Sequence, residues 1–71
     1  MRNAILRISD QVNKTITKTP VDSISHAQDL VRDISMTMTG EFLAHVIDDE
    51  GVVAELNPNG TIHKIWNKYP Y

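Results

Sequence analysis

Two runs near the start of the chain have the composition of β-strands. Residues 3–9 are mostly aliphatic, and residues 12–19 alternate polar and branched side chains. The polar residues between them predict a turn. Pro20 favours the end of the second strand or an edge position, because it lacks the N–H that a sheet ladder needs. The pattern therefore predicts an N-terminal hairpin over residues 3–19.

Residues 23–39 have the three- and four-residue spacing of a helix with one apolar face. The apolar positions are Ile24, Ala27, Leu30, Val31, Ile34 and Met38. Ser23 is suited to the N-cap because its hydroxyl can accept a backbone N–H, and Gly40 is suited to the position after the last turn. One helix can cover only one face of a sheet.

The remaining chain predicts a three-stranded meander over residues 41–67. Two turns, at 48–51 and 57–60, each end in glycine, as a type I turn closed by a bulge requires. The strands that they connect are 41–48, 52–57 and 61–67, and a short aromatic tail follows at 68–71. The whole chain is predicted to be one small domain over 1–71, with an α+β fold of order ββαβββ and one helix packed on a mainly antiparallel sheet.

The turns also predict which side chains share a face. If Asp48 faces Val52 and Asn57 faces Thr61, the core face carries Phe42, Ala44, Val46, Val52, Ala54, Leu56, Ile62 and Trp66, with Lys64 as the one polar misfit. The opposite face then carries an apolar row of Ile47, Val53 and Ile65. A polar row of His45, Glu55 and His63 lies beside it. Because the helix covers the other face, this surface is expected to be exposed, and an exposed apolar patch indicates a contact surface.

Charge and composition narrow the classes of function. The chain of 71 residues has no cysteine, which excludes disulfides and thiolate metal sites. Its net charge of −2 is divided into +3 over residues 1–20, −7 over 21–55 and +2 over 56–71, and no segment is extreme enough to name a partner. The first residues do not form the apolar stretch of a signal peptide, and no run is long enough to span a membrane. We expect a cytoplasmic protein without a membrane partner.

Candidate chemistry is sparse. His45, Glu55 and His63 are the residue types that bind metals, but no fourth ligand is evident, so an ordinary polar row is the favoured interpretation. The chain has no nucleophile motif, phosphate-binding glycine loop or zinc-protease motif. We therefore expect no enzyme activity, metal or cofactor.

Basic side chains lie in the predicted N-terminal hairpin and could follow a phosphate backbone. These residues are Arg2, Arg7, Lys14 and Lys18. The favoured interpretation is instead that the lysines protect an edge strand from aggregation.

The element order and turn spacing resemble those of small phage anti-CRISPR proteins, in particular a short type I-F inhibitor. The likeness is carried by the run Ser23-Ile24-Ser25-His26-Ala27-Gln28, by Gly40, and by the turns Asp49-Glu50-Gly51 and Asn59-Gly60. It covers about two-thirds of the chain, from Val21 to Trp66. The resemblance implies a small accessory protein that acts by occupying a partner's surface. The lysines that such an inhibitor uses have no matching positions here.

Three functions remain open at this point. The first is a non-enzymatic protein-binding module, such as a phage or mobile-element inhibitor. It would use Ile47, Val53 and Ile65 as contacts and His45, Glu55 and His63 for polar specificity. The second is a nucleic-acid-binding module that uses the basic hairpin. The third is a homodimer that buries the same exposed sheet face.

Overall fold

The computed structural model describes residues 4–37 and 41–66. They form one helix and a five-stranded antiparallel sheet, so the predicted α+β class and the order ββαβββ are confirmed. The elements are β1 Ile5–Asp10, β2 Thr15–Pro20, α1 Ile24–Thr37, β3 Phe42–Asp48, β4 Gly51–Leu56 and β5 Ile62–Ile65. Their order across the sheet is β2-β1-β3-β4-β5. The N-terminal hairpin therefore joins the meander through β1, and β2 and β5 are the edges.

The first hairpin turns later than predicted. The carboxylate of Asp10 accepts hydrogen bonds from the backbone N–H groups of Val12 and Asn13 at 2.9 and 3.1 Å. Lys14 closes the turn in the left-handed region with a φ of 61°. Because this turn lies after Asp10, β1 ends one residue later than predicted and β2 begins only at Thr15.

The helix lies within its predicted range, and residues 38 and 39 of that range are outside the described residues. The Ser23 hydroxyl accepts the backbone N–H of His26 at 3.0 Å, which confirms the predicted N-cap. Ile24, Ala27 and Val31 are buried against the sheet, where α1 lies over β3 and β4. Met38 and Gly40, which were given roles at the end of the helix, lie outside the described residues.

The core lies between α1 and one sheet face. Its members are Ala4, Leu6, Ile8, Val21, Ile24, Ala27, Val31, Phe42, Ala44, Val46, Val53, Ala54 and Leu56. The small residues Ala44 and Ala54 of the central strands leave room for the helix to approach. Within the described residues, no helix is both long and apolar enough to cross a bilayer.

A bulge in β4 changes the predicted pairing of the first meander hairpin. Ile47 pairs with Val52 and Asp48 pairs with Gly51, whereas Asp48 was predicted to face Val52. Val53 is left as the extra residue and turns inward, so its side chain is fully buried at 0% exposure. Val52 occupies the opposite face. The predictions for these two valines were wrong because the bulge exchanges their faces.

A second bulge, at His63, shifts β5 by one residue. Leu56 pairs with Ile62 as predicted, but Glu55 pairs with Lys64 rather than with His63. Ile65, predicted to be exposed, packs against the core instead. Because side chains alternate along a strand, this shift moves every later residue of β5 to the face opposite to the predicted one.

Candidate binding surface on the open sheet face

We call the sheet face that points away from α1 the open face. Its residues are Ile5, Arg7, Ser9, Ile16, Lys18, Leu43, His45, Ile47, Val52, Glu55, Lys64 and Trp66. This assignment follows from the alternation of side chains along each strand, because Leu6, Ile8, Ala44 and Val46 are buried on the side of the helix. Backbone pairing fixes their positions relative to one another, so the surface is held on a rigid scaffold.

A charged row crosses all five strands of the open face. In register, Lys18 lies beside Arg7, Arg7 beside His45, His45 beside Glu55, and Glu55 beside Lys64. The His45 Nε2 atom is 3.9 Å from Glu55 Oε1, a contact that becomes an ion pair when the imidazole is protonated. The two side chains are 17% and 31% exposed, so this pair is largely shielded from water. The row therefore carries three cations and one carboxylate.

Two nitrogens in the centre of the row are buried and make no hydrogen bond with any described residue. They are Nε of Arg7 and Nδ1 of His45, which belong to side chains directly paired across β1 and β3. A buried polar atom without a partner costs free energy, commonly about 1–3 kcal/mol. A ligand or ordered water that reached these atoms would recover part of that cost.

A half-buried aromatic side chain lies at the β5 end of the row. The Lys64 Nζ atom is 4.8 Å from the centroid of the Trp66 ring, close enough for a cation–π contact. The Trp66 backbone N–H donates to the Val53 carbonyl at 2.8 Å, which fixes the position of this residue beside β4. Trp66 was predicted to lie on the core face. The bulge at His63 places it instead beside Lys64, on the open face.

An apolar row runs next to the charged row. Ile5 pairs with Ile47, and Ile47 pairs with Val52, and all three side chains are partly exposed. Together with Trp66 they offer the apolar contact area that an interface requires. Ile47 is the only member of the predicted apolar row that lies here, because Val53 and Ile65 belong to the core side.

Charge is divided between the two sides of the molecule. Around α1, Asp22, Asp29 and Asp33 are exposed, and the cation Arg32 is paired with Asp29 at 2.9 Å. The helix side is therefore acidic, whereas the open face is basic. A net charge of −2 conceals this separation.

The predicted site residues have different outcomes. His45 and Glu55 are neighbours as predicted, but His63 is exposed at the bulge and does not complete their row. Within the described residues, no three histidine or carboxylate side chains are arranged to hold a metal ion. The polar row that was predicted to end in His63 ends in Lys64 instead.

The basic residues of the hairpin are brought together only in part. Arg7 and Lys18 are direct cross-strand neighbours on the open face. Lys14 lies in the turn beyond the sheet, and Arg2 lies outside the described residues. Lys64 joins Arg7 and Lys18 from the far end of the sheet, which sequence reasoning missed. The one sequence signal was Lys64 itself, because a lysine on a predicted core face conflicts with burial, but it does not say where the register shifts.

Comparisons with known proteins identify no relative. No family model matches the chain, and neither a curated protein nor a solved structure matches it. The resemblance to anti-CRISPR proteins stays a prediction.

Proposed function

We propose that the protein is a non-enzymatic binding module whose open face binds an acidic region of a protein partner. The observation that carries this proposal is the cross-strand row of Lys18, Arg7, His45, Glu55 and Lys64. Such a row presents positive charge at fixed spacing. An acidic partner is attracted to it and repelled by the acidic helix side, which favours one docking orientation.

Apolar contacts support a protein partner. Tryptophan and arginine are the side chains that most often dominate binding energy at protein interfaces, especially where they are shielded from water. Trp66 and Arg7 are both half-buried, and Arg7 lies on β1, next to the central strand of the sheet. Ile5, Ile47 and Val52 add an apolar row along one side of Arg7 and His45.

A nucleic-acid partner has less support. Glu55 lies inside the charged row, where its carboxylate would repel a phosphate backbone. Non-specific single-strand binders also use several aromatic side chains as stacking platforms. Among the described residues of the open face, Trp66 is the one aromatic side chain.

The mode of action that we infer is the occupation of a partner's surface. It is the mode that the anti-CRISPR resemblance implies, and a binding face without catalytic chemistry is compatible with it. An inhibitory role would follow if the occupied surface is one that the partner uses.

The test compares matched charge-reversal variants in affinity capture from a lysate of the cells that encode the protein. Lys64→Glu reverses a charge on the open face, whereas Lys14→Glu makes the same change of net charge at an exposed turn. Trp66→Ala removes the apolar anchor. We expect a stoichiometric, nuclease-resistant protein that the wild type and Lys14→Glu retain and that Lys64→Glu and Trp66→Ala lose. Binding to the purified partner should weaken at least tenfold in either open-face variant.

Two results would contradict the proposal. Capture that both open-face variants leave unchanged would place the interface elsewhere. Captured material that disappears on nuclease treatment, with binding that weakens steeply as salt rises, would favour the nucleic-acid function instead. Circular dichroism of each variant must match the wild type, so that loss of binding is not loss of fold.

A further inference from the structure

The edge strand β2 is the least covered element of the sheet. Residues 15–18 are exposed on both sheet faces, because α1 lies over β3 and β4 and does not reach the edge. Ile16 is an isoleucine 63% exposed to solvent. A strand with an uncovered edge offers unpaired backbone groups to another strand.

Two backbone hydrogen bonds just beyond the ends of β1 show which groups of β2 point outward. Gln11 N–H donates to Glu41 O, and Val21 N–H donates to Ala4 O, both at 3.0 Å. These bonds continue the registers of β1 with β3 and of β1 with β2. Because hydrogen-bonded pairs alternate along an antiparallel ladder, the odd residues of β1 bond to β3 and its even residues bond to β2.

The same alternation assigns the groups of β2 itself. Thr15, Thr17 and Thr19 pair with the even residues of β1, so their backbone groups point inward. The N–H and C=O of Ile16 and Lys18 therefore point away from the sheet. Pro20 belongs to the same outward-pointing set, so the sheet loses no hydrogen bond because proline lacks an N–H.

We propose that β2 is a self-pairing edge, where two copies of the chain join antiparallel about a two-fold axis at Thr17. In this register Ile16 faces Lys18 of the second copy, and Thr15 faces its Thr19. The outward groups of Ile16 and Lys18 then form hydrogen bonds across the axis. The two sheets become one continuous sheet, with both open faces on the same side.

The strand sequence supports a second copy as the occupant. The run Thr15-Ile16-Thr17-Lys18-Thr19 places threonine at every second position, symmetrically about Thr17. Cross-strand threonine pairs are favourable, and the lysine stem can lie along the isoleucine. The edge strand is therefore complementary to a second copy of itself.

Charge selects this register over its neighbours. The two-fold axis is perpendicular to the joined sheet. Both open faces stay on the same side only if one strand slides along the other by two residues at a time. A slide in one direction places Lys18 opposite Lys18, and a slide in the other places Lys14 opposite Lys18. Directly opposed like charges destabilise a strand pair. Of these three registers, only the one with its axis at Thr17 avoids them.

The expected dimer is weak because a single pair of short strands buries little surface. We expect a dissociation constant on the order of 0.1–1 mM, within the range where small interfaces operate. The other edge is less suited, because β5 has four residues and a bulge at its centre.

Opposite charges at one exposed position test the proposal. Ile16→Lys places a lysine opposite Lys18 twice in the dimer, whereas Ile16→Glu places a glutamate there twice. Sedimentation equilibrium up to about 1 mM should show association weakened roughly fivefold by Ile16→Lys and strengthened to a similar extent by Ile16→Glu. Raising the salt concentration should reduce the difference between the dissociation constants of the two variants.

Amide exchange and an open-face variant give independent readouts. The amides of Ile16 and Lys18 should gain protection as protein concentration rises, whereas the inward amide of Thr17 is protected at every concentration. Trp66→Ala should leave association unchanged, because its side chain is far from this edge. A monomer at all concentrations would overturn the proposal. Association that responds to Trp66→Ala but to neither Ile16 variant would overturn it too, because the copies would then meet through their open faces.

Discussion

Gly60 is the residue where the β4–β5 turn approaches the helix most closely. Its φ is +91°, in the left-handed region that favours glycine. A Cβ atom at this position would lie 2.5 Å from Cγ of Arg32 and 3.1 Å from the backbone oxygen of Gln28. Gln28 Nε2 also donates to the Gly60 carbonyl at 3.0 Å, which ties the turn to α1. Gly60→Ala therefore perturbs both the backbone and the turn's attachment to the helix.

Three terms set the size of the effect. A side chain in the left-handed region costs about 1–2 kcal/mol. The exposed Arg32 side chain can move aside, at a cost of about 0–1 kcal/mol for its surface ion pair with Asp29. The Gln28 oxygen belongs to the helix and cannot move as freely, so the hydrogen bond to Gly60 is strained or lost, for about 1 kcal/mol. We expect Gly60→Ala to lower the free energy of unfolding by about 2–4 kcal/mol.

Gly51→Ala is the matched control. Gly51 has a φ of +124°, and a Cβ atom there would meet nothing within 4 Å. Both substitutions reduce the backbone entropy of the unfolded chain equally, so this contribution cancels in their difference. Urea unfolding followed by circular dichroism should show Gly60→Ala to be less stable than Gly51→Ala by about 1–2 kcal/mol.

A double variant separates the crowded side chain from the helix backbone. Arg32→Ala removes the nearest side-chain atoms, so it should recover at most about 1 kcal/mol of the Gly60→Ala cost and leave the remainder. Equal stability of the two glycine variants would refute the argument, because it would mean that the close approach to α1 contributes nothing.

Two further predictions follow from the fold. Val53→Ala should lower the free energy of unfolding by about 2 kcal/mol, because two buried methyl groups are lost. Val52→Ala, on the open face, should change it by less than about 1 kcal/mol. Denaturant unfolding that ranks the two variants the other way would contradict the bulge. The backbone N–H of Asn13, then its side-chain amide and the N–H of Val12, lower the pKa of Asp10 below its ordinary value of 3.8. A group whose pKa is lowered by folding stabilises the fold above its ordinary pKa, and this contribution is lost as the pH falls through the lowered value. The free energy of unfolding should therefore fall more steeply with pH below about pH 4 in the wild type than in Asp10→Asn. Parallel titration curves would show that the turn does not hold the carboxylate.

Local signals determined the parts of the fold that could be predicted. The apolar stripe of α1 and the Ser23 cap depend on residues within a few positions of one another. The turn at 57–60 also formed as predicted, because Asn57 N–H donates to Thr61 O and Gly60 supplies the positive φ. Each of these features is decided by the chain close to it, so periodicity and turn chemistry suffice to predict them.

The parts that could not be predicted depend on contacts between distant strands. Whether β1 joins the meander through β3 is decided by packing of Leu6 and Ile8 into the core, and nothing in the local sequence specifies that neighbour. The bulges at Val53 and His63 carry no glycine or proline that would mark them. A register argument that counts from a turn is reliable only as far as the first bulge.

The burial of apolar side chains explains why the bulges form. Without them, Lys64 would face Ala54 beneath α1, and Val53 and Ile65 would be exposed. Burying an unpaired ammonium group costs far more than the local disruption of a ladder. One extra residue in each strand reverses this arrangement: Val53 and Ile65 enter the core side, and Lys64 emerges with Trp66 beside Glu55. The arrangement that completes the core therefore also composes the charged row, which is why the candidate site could not be located before the register was known.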